Sequence, residues 1–248
     1  QDRIVVERFA DYWDKARVSI DRIVYRPIQD STVRLANLKS GQLDLLERAL
    51  ATDIGEIEKD RRLKLAKGFE LGYQGITMNV GNGEKANSPL GKDARVRRAL
   101  ELAIDREAID QVVFNGVQSP NNQWVSPQNP YYQAKFPTPK RDVARAKALL
   151  AEAGVKPPLT LDFMVPNNPE TRAVAEVMQS MAAEAGFDLK IRVTEFATSL
   201  NEAEKGNFQL YMLAWSGRTD PDGNIYSFAS CKGCLLYTSD AADDLLCV

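Results

Sequence analysis

Residues 93–109 have the sequence DARVRRALELAIDREAI, which contains two helix starts in succession. Asp93 can cap a first helix, because its carboxylate can accept the unpaired N–H groups of an opening turn. The residues that recur at helical spacing and form one apolar face are Val96, Ala99, Leu100, Ala103 and Ile104. Asp105 offers a second cap and Gly116 a stop. The pattern therefore predicts two amphipathic helices that meet at a bend near Asp105.

Predicted strands and helices alternate on both sides of this stretch. The predicted strands are residues 1–6, 20–27, 43–49, 63–69, 75–80, 159–165, 187–194 and 208–214. The other predicted helices are residues 30–38, 53–59, 142–152 and 170–185. This alternation is typical of an α/β protein with a mixed or parallel sheet and helices packed on its faces.

Composition excludes several classes of function. The 248 residues are 44% hydrophobic and 27% charged, have a formal net charge of −2, and include no histidine. Without histidine, Ser-His and Cys-His catalysis and the commonest zinc sites are excluded. The sequence lacks the basic stripe that is typical of nucleic-acid binders. No apolar run approaches the length of a membrane span. Gly81 and Gly83 lack the third glycine and the Lys-Ser/Thr pair of a phosphate loop, so a turn is predicted there.

The segment 93–109 resembles the D-x-R-V-R-x-A-L-x-x-A-I-D-R-x-x-I signature of the family 5 extracytoplasmic solute-binding proteins, which serve ABC importers of peptides, nickel and opines. Further similarities follow in the family's order at FADYW (9–13), LKSGQLD (38–44), KALLAEAG (147–154) and WSGRTDPD (215–222). The resemblance implies an α/β, two-lobed periplasmic binding protein-like fold of class II, the large cluster C type. It also implies capture of a small solute, which is peptide-like, opine-like or otherwise polar or anionic, between two lobes. The solute is then delivered to the transmembrane subunits of an ABC permease.

The same resemblance suggests a domain organisation. Residues 1–80 are assigned to part of the large sheet lobe, residues 81–91 to a polar connector, and residues 92–233 to the second main lobe. In the family, a long segment that includes an entire small lobe precedes the point where this sequence starts. We therefore expect a fragment of a longer protein, without its signal peptide. We expect that protein to be a periplasmic or membrane-anchored extracytoplasmic monomer.

Residues 234–248, CLLYTSDAADDLLCV, resemble a translated sequencing adapter and are predicted not to be native. The alternative is a genuine strand at 235–238 followed by a short helix at 240–246. On the adapter interpretation, Cys231 and Cys234 do not form a C-x-x-C motif, because the second cysteine lies at the junction. In the family, a cysteine at the position of Cys231 often pairs with one slightly downstream, which suits an oxidising compartment.

The loop after the strand at 208–214 is the predicted ligand site, because ligands of open α/β sheets bind beyond the carboxyl ends of strands. In peptide-binding members, an Asp that pairs with the ligand's α-amino group resembles the position of Arg218. Dipeptide binders also hold the ligand carboxylate with an Arg where this sequence has Val165. A guanidinium favours carboxylate or phosphate, so we expect an anionic or amine-free solute such as an opine, a sugar acid or a glycoside. The alternative is that Arg218 caps the edge of the sheet through a salt bridge to a lobe that this sequence does not include.

Trp215, Asp220 and Asn167 complete the candidate ligand-binding residues. Trp215 offers an aromatic face and an indole N–H, although it could equally belong to the core. Asp220 could cap a helix that begins at Pro221, or hold a hard cation together with Asp222. Two carboxylates are too few for a cation site, so we predict no metal. We also predict no cofactor and no catalytic residue.

Two other functions are compatible with an α/β chain. One is a cytoplasmic α/β enzyme, which the lack of a nucleophile elbow, a phosphate loop and paired carboxylates disfavours. The other is a sensor that uses the same binding fold without transport.

Overall fold

The computed structural model describes residues 2–220 and 222–229, with no account of the side chains at 227–229. The chain forms two compact units that divide between Ala66 and Lys67. The assignment of residues 1–80, 81–91 and 92–233 to lobes and a connector stays a prediction. The interpretations of Cys231, Cys234 and the tail at 234–248 concern positions outside the described residues.

The first unit contains a hairpin and two short helices. Strands β1 (Ile4–Glu7) and β2 (Arg22–Tyr25) pair antiparallel, and all of their residues are exposed. Helices α1 (Ser31–Lys39) and α2 (Ile54–Lys59) follow, with 3-10 turns at Lys15–Arg17 and Ala51–Asp53. Asp30 caps α1 by accepting a hydrogen bond from the Val33 N–H at 3.0 Å, as its position before the predicted helix indicates.

Two predicted strands of this unit, residues 43–49 and 63–69, are wrong. Both segments lack strand structure in the folded chain. Arg48 has a φ of 59°, a left-handed conformation that a strand does not contain, and Leu45 is 75% exposed. An alternating pattern yields a strand only where a neighbouring strand supplies hydrogen bonds, and within residues 2–220 neither segment has such a neighbour.

The second unit is built on a four-stranded mixed sheet in the order β3-β6-β4-β5. Its strands are β3 (Tyr73–Met78), β4 (Leu159–Pro166), β5 (Phe187–Thr194) and β6 (Leu210–Trp215). Its helices are α3 (Pro89–Lys92), α4 (Ala94–Ala103), α5 (Arg106–Phe114), α6 (Val143–Glu152), α7 (Pro169–Glu184), α8 (Phe196–Glu204) and α9 (Asp222–Ala229). Strand β4 is parallel to β5 and β6, whereas β3 is antiparallel to β6. The predicted α/β class and mixed sheet are confirmed. None of the described helices combines the length and apolar character needed to cross a bilayer.

The helix pair at 93–115 forms as predicted. Asp93 accepts a hydrogen bond from Arg95 N at 2.8 Å, and Asp105 accepts one from Ala108 N at 2.9 Å. Ile104 lies between the helices in an extended conformation, which produces the bend. The predicted apolar face is buried, with Val96, Ala99 and Ala103 fully inaccessible.

The sheet is covered on both faces. Side chains alternate along a strand, so Leu161, Phe163 and Val165 lie on one face of β4, and α7 packs against β4 and β5. On the other face, α8 packs against β4. The core cluster on that face consists of Met164, Ala203, Phe208, Tyr211 and Leu213, with Leu200 and Trp215 packed against it.

Helix α8 is absent from the sequence-based prediction. The residue before it is Glu195, which accepts hydrogen bonds from Ala197 N and Thr198 N. Glutamate is not among the preferred capping residues, so the usual start signal is missing from the sequence. These hydrogen bonds to backbone N–H groups also hold the pKa of Glu195 below its ordinary value.

A buried asparagine pair joins the end of α8 to the beginning of β6. The Asn79 side-chain amide donates to the carbonyl oxygens of Asn82, Gly206 and Phe208 at 2.8, 3.2 and 2.9 Å, and its oxygen accepts from Asn82 N. Asn82 in turn donates to the carbonyl oxygen of Ala203 near the end of α8. The two side chains thus bond backbone carbonyls of α8, of the turn after it and of the residues that lead into β6, and so link two elements.

Replacing Asn79 by alanine should lower the free energy of unfolding by about 3 kcal/mol, because several buried backbone groups lose their partners at once. Urea denaturation measures this change. Asn201→Ala, at an exposed position of α8, is the control and should change stability by less than about 0.5 kcal/mol. Equal effects of the two substitutions would contradict the role assigned to Asn79.

An ion cluster lies at the sheet surface where β4 and β5 pair. Arg192 donates from Nε and Nη2 to the two carboxylate oxygens of Asp162, both at 3.1 Å, and the Lys85 amino group lies 3.3 Å from Oδ2. Burial alone would raise the pKa of Asp162. The hydrogen bond and charge of Arg192, together with the charge of Lys85, outweigh burial and lower this pKa below 3.8.

Arg192→Ala should raise the pKa of Asp162 and lower the free energy of unfolding by about 1 kcal/mol at neutral pH, since the pair is partly exposed. A lowered carboxyl pKa stabilises the folded state above the unfolded-state value near 3.8. This stabilisation disappears as the pH falls through the lowered value. The difference between wild type and variant in the free energy of unfolding should therefore shrink as the pH falls below the unfolded-state value. Unfolding measured across this range tests the expectation. The exposed pair Arg145–Glu152 provides the control substitution, Arg145→Ala.

Candidate ligand-binding site at the sheet edge

The carboxyl ends of β4, β5 and β6 lie at one edge of the sheet, because these three strands are parallel. From β4 the chain passes to β5 on one side and then returns to β6 on the other side of β4. The crevice between the ends of β4 and β6 is therefore a topological switch point, the place where open α/β sheets bind ligands. Helices α7 and α8 also begin at this edge, directly after β4 and β5.

The loop that leaves β6 is held together by a side-chain network. Trp215 Nε1 donates to Asn224 Oδ1 at 3.0 Å, and Asn224 Nδ2 donates to the carbonyl oxygen of Arg218 at 2.7 Å. Asn224 lies in the first turn of α9 and is only 4% exposed. The network thus joins the end of a strand, the following loop and the start of a helix.

Arg218 is folded back over this loop while its side chain remains exposed. Its Nη1 donates to Ser216 Oγ at 3.2 Å and to the carbonyl oxygen of Gly217 at 2.7 Å. Its guanidinium carbon lies 5.9 Å from the centre of the Trp215 ring, which is cation–π distance. Within the described chain, the side chain of Arg218 forms its hydrogen bonds through Nη1 alone. The edge formed by Nε and Nη2 therefore has N–H groups for a bidentate acceptor.

The loop also approaches the backbone before β3 very closely. Gly217 has a φ of +75°, and a Cβ there would lie 2.3 Å from the carbonyl group of Leu71. A Cβ at Gly72 would lie 2.0 Å from the carbonyl oxygen of Trp215. Glycine is therefore required on both sides of this contact, which fixes the loop that carries Trp215 and Arg218.

Gly217→Ala should lower the free energy of unfolding by more than about 2 kcal/mol, since it combines left-handed strain with a clash against backbone. The matched control is Gly154→Ala, where φ is +70° but nothing lies within 4 Å of the added Cβ. That control should cost about 1 kcal/mol from strain alone. Thermal or urea unfolding of both variants measures the difference, and similar costs would show that the close contact is unimportant.

The other candidate residues occupy three different environments. Val165 is fully buried within β4, opposite Val193 of β5, rather than on the loop that follows. Asn167 is exposed just after β4, and its N–H donates to the carbonyl oxygen of Thr194 at 2.9 Å. Asp220 is exposed, and its Oδ1 accepts a hydrogen bond from Asp222 N at 2.8 Å, as a helix-capping side chain does. Ligand contact by these three residues stays a prediction.

Two further residues at this edge escaped the sequence-based prediction. Asn224 has no distinguishing sequence pattern, because its importance comes from contacts that only the folded loop creates. Tyr73 begins β3 directly opposite Trp215, and burial raises the pKa of its hydroxyl group to about 12. The predicted strand, 75–80, begins two residues after Tyr73 and so does not include it.

The rest of the described chain contains no metal-binding cluster, and a depression on its surface lies away from this edge. Across residues 2–220 and 222–229, no group of three or more His, Cys, Asp or Glu side chains could hold a metal ion. An open depression of about 450 Å3 lies elsewhere and is lined by Arg98, Lys140, Arg141 and Arg145 among others. Arg141 donates there to the carbonyl oxygen of Met181 in the last turn of α7. That turn lies about 18 Å along the helix from the edge where α7 begins.

The sequence model of the bacterial extracellular solute-binding proteins, family 5 Middle, matches residues 1–234. The chain belongs to this family. The resemblance carried by residues 93–109 and by the later segments is thus confirmed. The dipeptide-binding protein of Escherichia coli K12 is 30% identical over 237 residues, which are 92% of this chain and 43% of that protein. Heme-binding protein A of Haemophilus influenzae is 30% identical over 220 residues, 86% of this chain and 39% of that protein.

Solved structures of family 5 proteins have the same fold. The periplasmic binding protein DppA of Helicobacter pylori, in complex with the peptide STSA, superposes with a TM-score of 0.80 at 23% identity, over 91% of this chain and 43% of that one. AppA of Bacillus subtilis, with a nonapeptide, gives 0.76 at 26% identity, over 89% and 46%. AgaA of A. tumefaciens R10, with agropinic acid, gives 0.71 at 26% identity, over 86% and 43%. The predicted fold class is therefore confirmed, and the chain spans less than half the length of these family 5 relatives.

Proposed function

We propose that this chain belongs to the substrate-binding component of an ABC importer, which captures a small anionic or amine-free solute and delivers it to a membrane permease. Family membership supports the general role of solute binding. The observation that supports the solute class is the Arg218 guanidinium, which lies over Trp215 just beyond the carboxyl end of β6. Two N–H groups on one edge of this guanidinium suit a carboxylate.

The charge of Arg218 also argues against a free dipeptide bound with its α-amino group at this position. Two like charges about 4 Å apart repel by about 1 kcal/mol in water, and by about 4 kcal/mol at the effective dielectric constant near a protein surface. Either value corresponds to a several-fold or larger loss of affinity. A carboxylate in the same place would gain by a comparable amount. The solved relative that binds agropinic acid shows that acidic solutes occur among such proteins.

Further parts of the proposal follow from the binding role. We propose that the protein acts outside the cytoplasm as a monomer, holds its solute between two lobes, and does not transform it chemically. Closure of two lobes around a solute is a well-known mode of domain motion. A sensor with the same fold would bind the same solute but would not support its uptake in vesicles that contain the permease.

Arg218→Ala in the intact protein should weaken binding of agropinic acid by about 10- to 100-fold, because hydrogen bonds to charged groups are lost. Titration calorimetry with agropinic acid, and with the dipeptide Met-Leu for comparison, measures the change. Wild type should prefer agropinic acid, and Arg218→Lys should be intermediate since it keeps the charge without the planar edge.

Arg145→Ala serves as the control, because Arg145 is exposed in α6 and lines the separate depression described above. Unchanged affinity in Arg218→Ala would overturn the role of Arg218. Turnover of the solute by purified protein would favour an enzyme instead.

A further inference from the structure

Asn224 is a buried polar residue whose amide points back towards the loop. It lies in the first turn of α9, where only 4% of it is exposed. Both ends of its amide are used, since Oδ1 accepts from the Trp215 indole and Nδ2 donates to the Arg218 backbone. A buried side-chain amide is stable only when its groups are satisfied in this way.

Starting the helix does not require this amide. The N–H at the beginning of α9 is already engaged by Asp220, through the bond from Asp222 N. An apolar side chain could fill the same buried volume without the cost of burying polar atoms. The two bonds of Asn224 instead reach the two residues that present the aromatic ring and the guanidinium.

The neighbouring glycine strengthens this arrangement. A Cβ at Gly223 would lie 3.3 Å from Arg218 Cβ and 3.4 Å from Arg218 Cγ. The absence of a side chain at Gly223 lets the aliphatic part of Arg218 rest against the start of α9. Residues 223 and 224 thus support Arg218 from its side chain and from its backbone, respectively.

We propose that Asn224 is a positioning residue of the binding site, which fixes the orientation of the Trp215 ring and the backbone of Arg218 before solute arrives. This inference rests on the proposed function of solute binding. Asn224 acts through the other two residues and need not contact the solute itself. Its loss should therefore change the orientation of Trp215 even in the absence of any solute.

The first experiment requires no ligand. Trp13→Phe and Trp124→Phe leave Trp215 as the single tryptophan of the chain, and acrylamide quenching then reports its accessibility. Asn224→Leu should raise the quenching constant, because the indole loses its partner in the interior. Asn224→Asp keeps the acceptor for the indole and should quench like wild type. The exposed substitution Asn201→Leu is the control and should also match wild type.

The second experiment measures affinity for agropinic acid in the intact protein. Asn224→Leu should weaken binding about tenfold, as expected for the loss of a buried hydrogen bond. Asn224→Asp should weaken it less. Trp215→Phe keeps an aromatic ring but removes the indole N–H, so the effect of Asn224→Leu should be smaller in that background. If the effects of the two substitutions on binding free energy were fully additive, Asn224 would not act through Trp215.

The outcomes separate this inference from the proposed function. If wild type binds no agropinic acid, the proposed solute class fails, while acrylamide quenching still decides whether Asn224 orients Trp215. If wild type binds and quenching is the same in wild type and Asn224→Leu, the inference fails and the proposed function stands. If Asn224→Leu does not fold, the affinity of Asn224→Asp is the test. This variant loses the bond to the Arg218 backbone, so unchanged affinity would overturn the role of that bond.

Discussion

The hydrogen bonding of β4 on both of its edges is the constraint on which the second unit depends. Parallel pairing with β5 on one side and β6 on the other requires a helical crossover for each connection. Helices α7 and α8 follow the parallel strands β4 and β5 directly, so both helices begin at the edge of the sheet where these strands end. The crevice that results is set by topology rather than by any single side chain.

Elements with strong local signals could be predicted from the sequence. Asp93 and Asp105 are preferred capping residues, and each one caps a helix where the sequence indicates. Strand β5 matches its predicted bounds because both ends have clear signals, with Gly186 before it and a change of pattern after it. Helix α8 was missed because Glu195 is an unusual cap. The strands expected at 43–49 and 63–69 failed because strand formation depends on a neighbour that the local sequence does not specify.

The positions of the candidate residues could be predicted where they follow from topology, and could not where they follow from packing. The loop after β6 could be located from the strand order expected of an α/β protein: Trp215 ends β6, and Arg218 and Asp220 belong to the loop. The helix-capping alternative for Asp220 agrees with its bond to Asp222 N. Val165 was predicted as the last residue of a strand, and it lies buried in β4, which continues to Pro166. The role of Asn224 could not be predicted from the sequence. The positions of its partners depend on the close backbone contact at Gly72 and Gly217, which has no sequence signature.

The bonds of Arg218 to its own loop have a consequence for the entropy of binding. A free arginine side chain has about 2 kcal/mol of rotamer entropy, much of which is lost when it is immobilised against a ligand. Here Nη1 and the aliphatic chain are already restrained by Gly217, Ser216 and the Trp215 ring. In the binding role that we propose for Arg218, part of this entropy would be lost during folding instead of during recognition. A preordered guanidinium would then allow a small solute with few contacts to be retained with useful affinity.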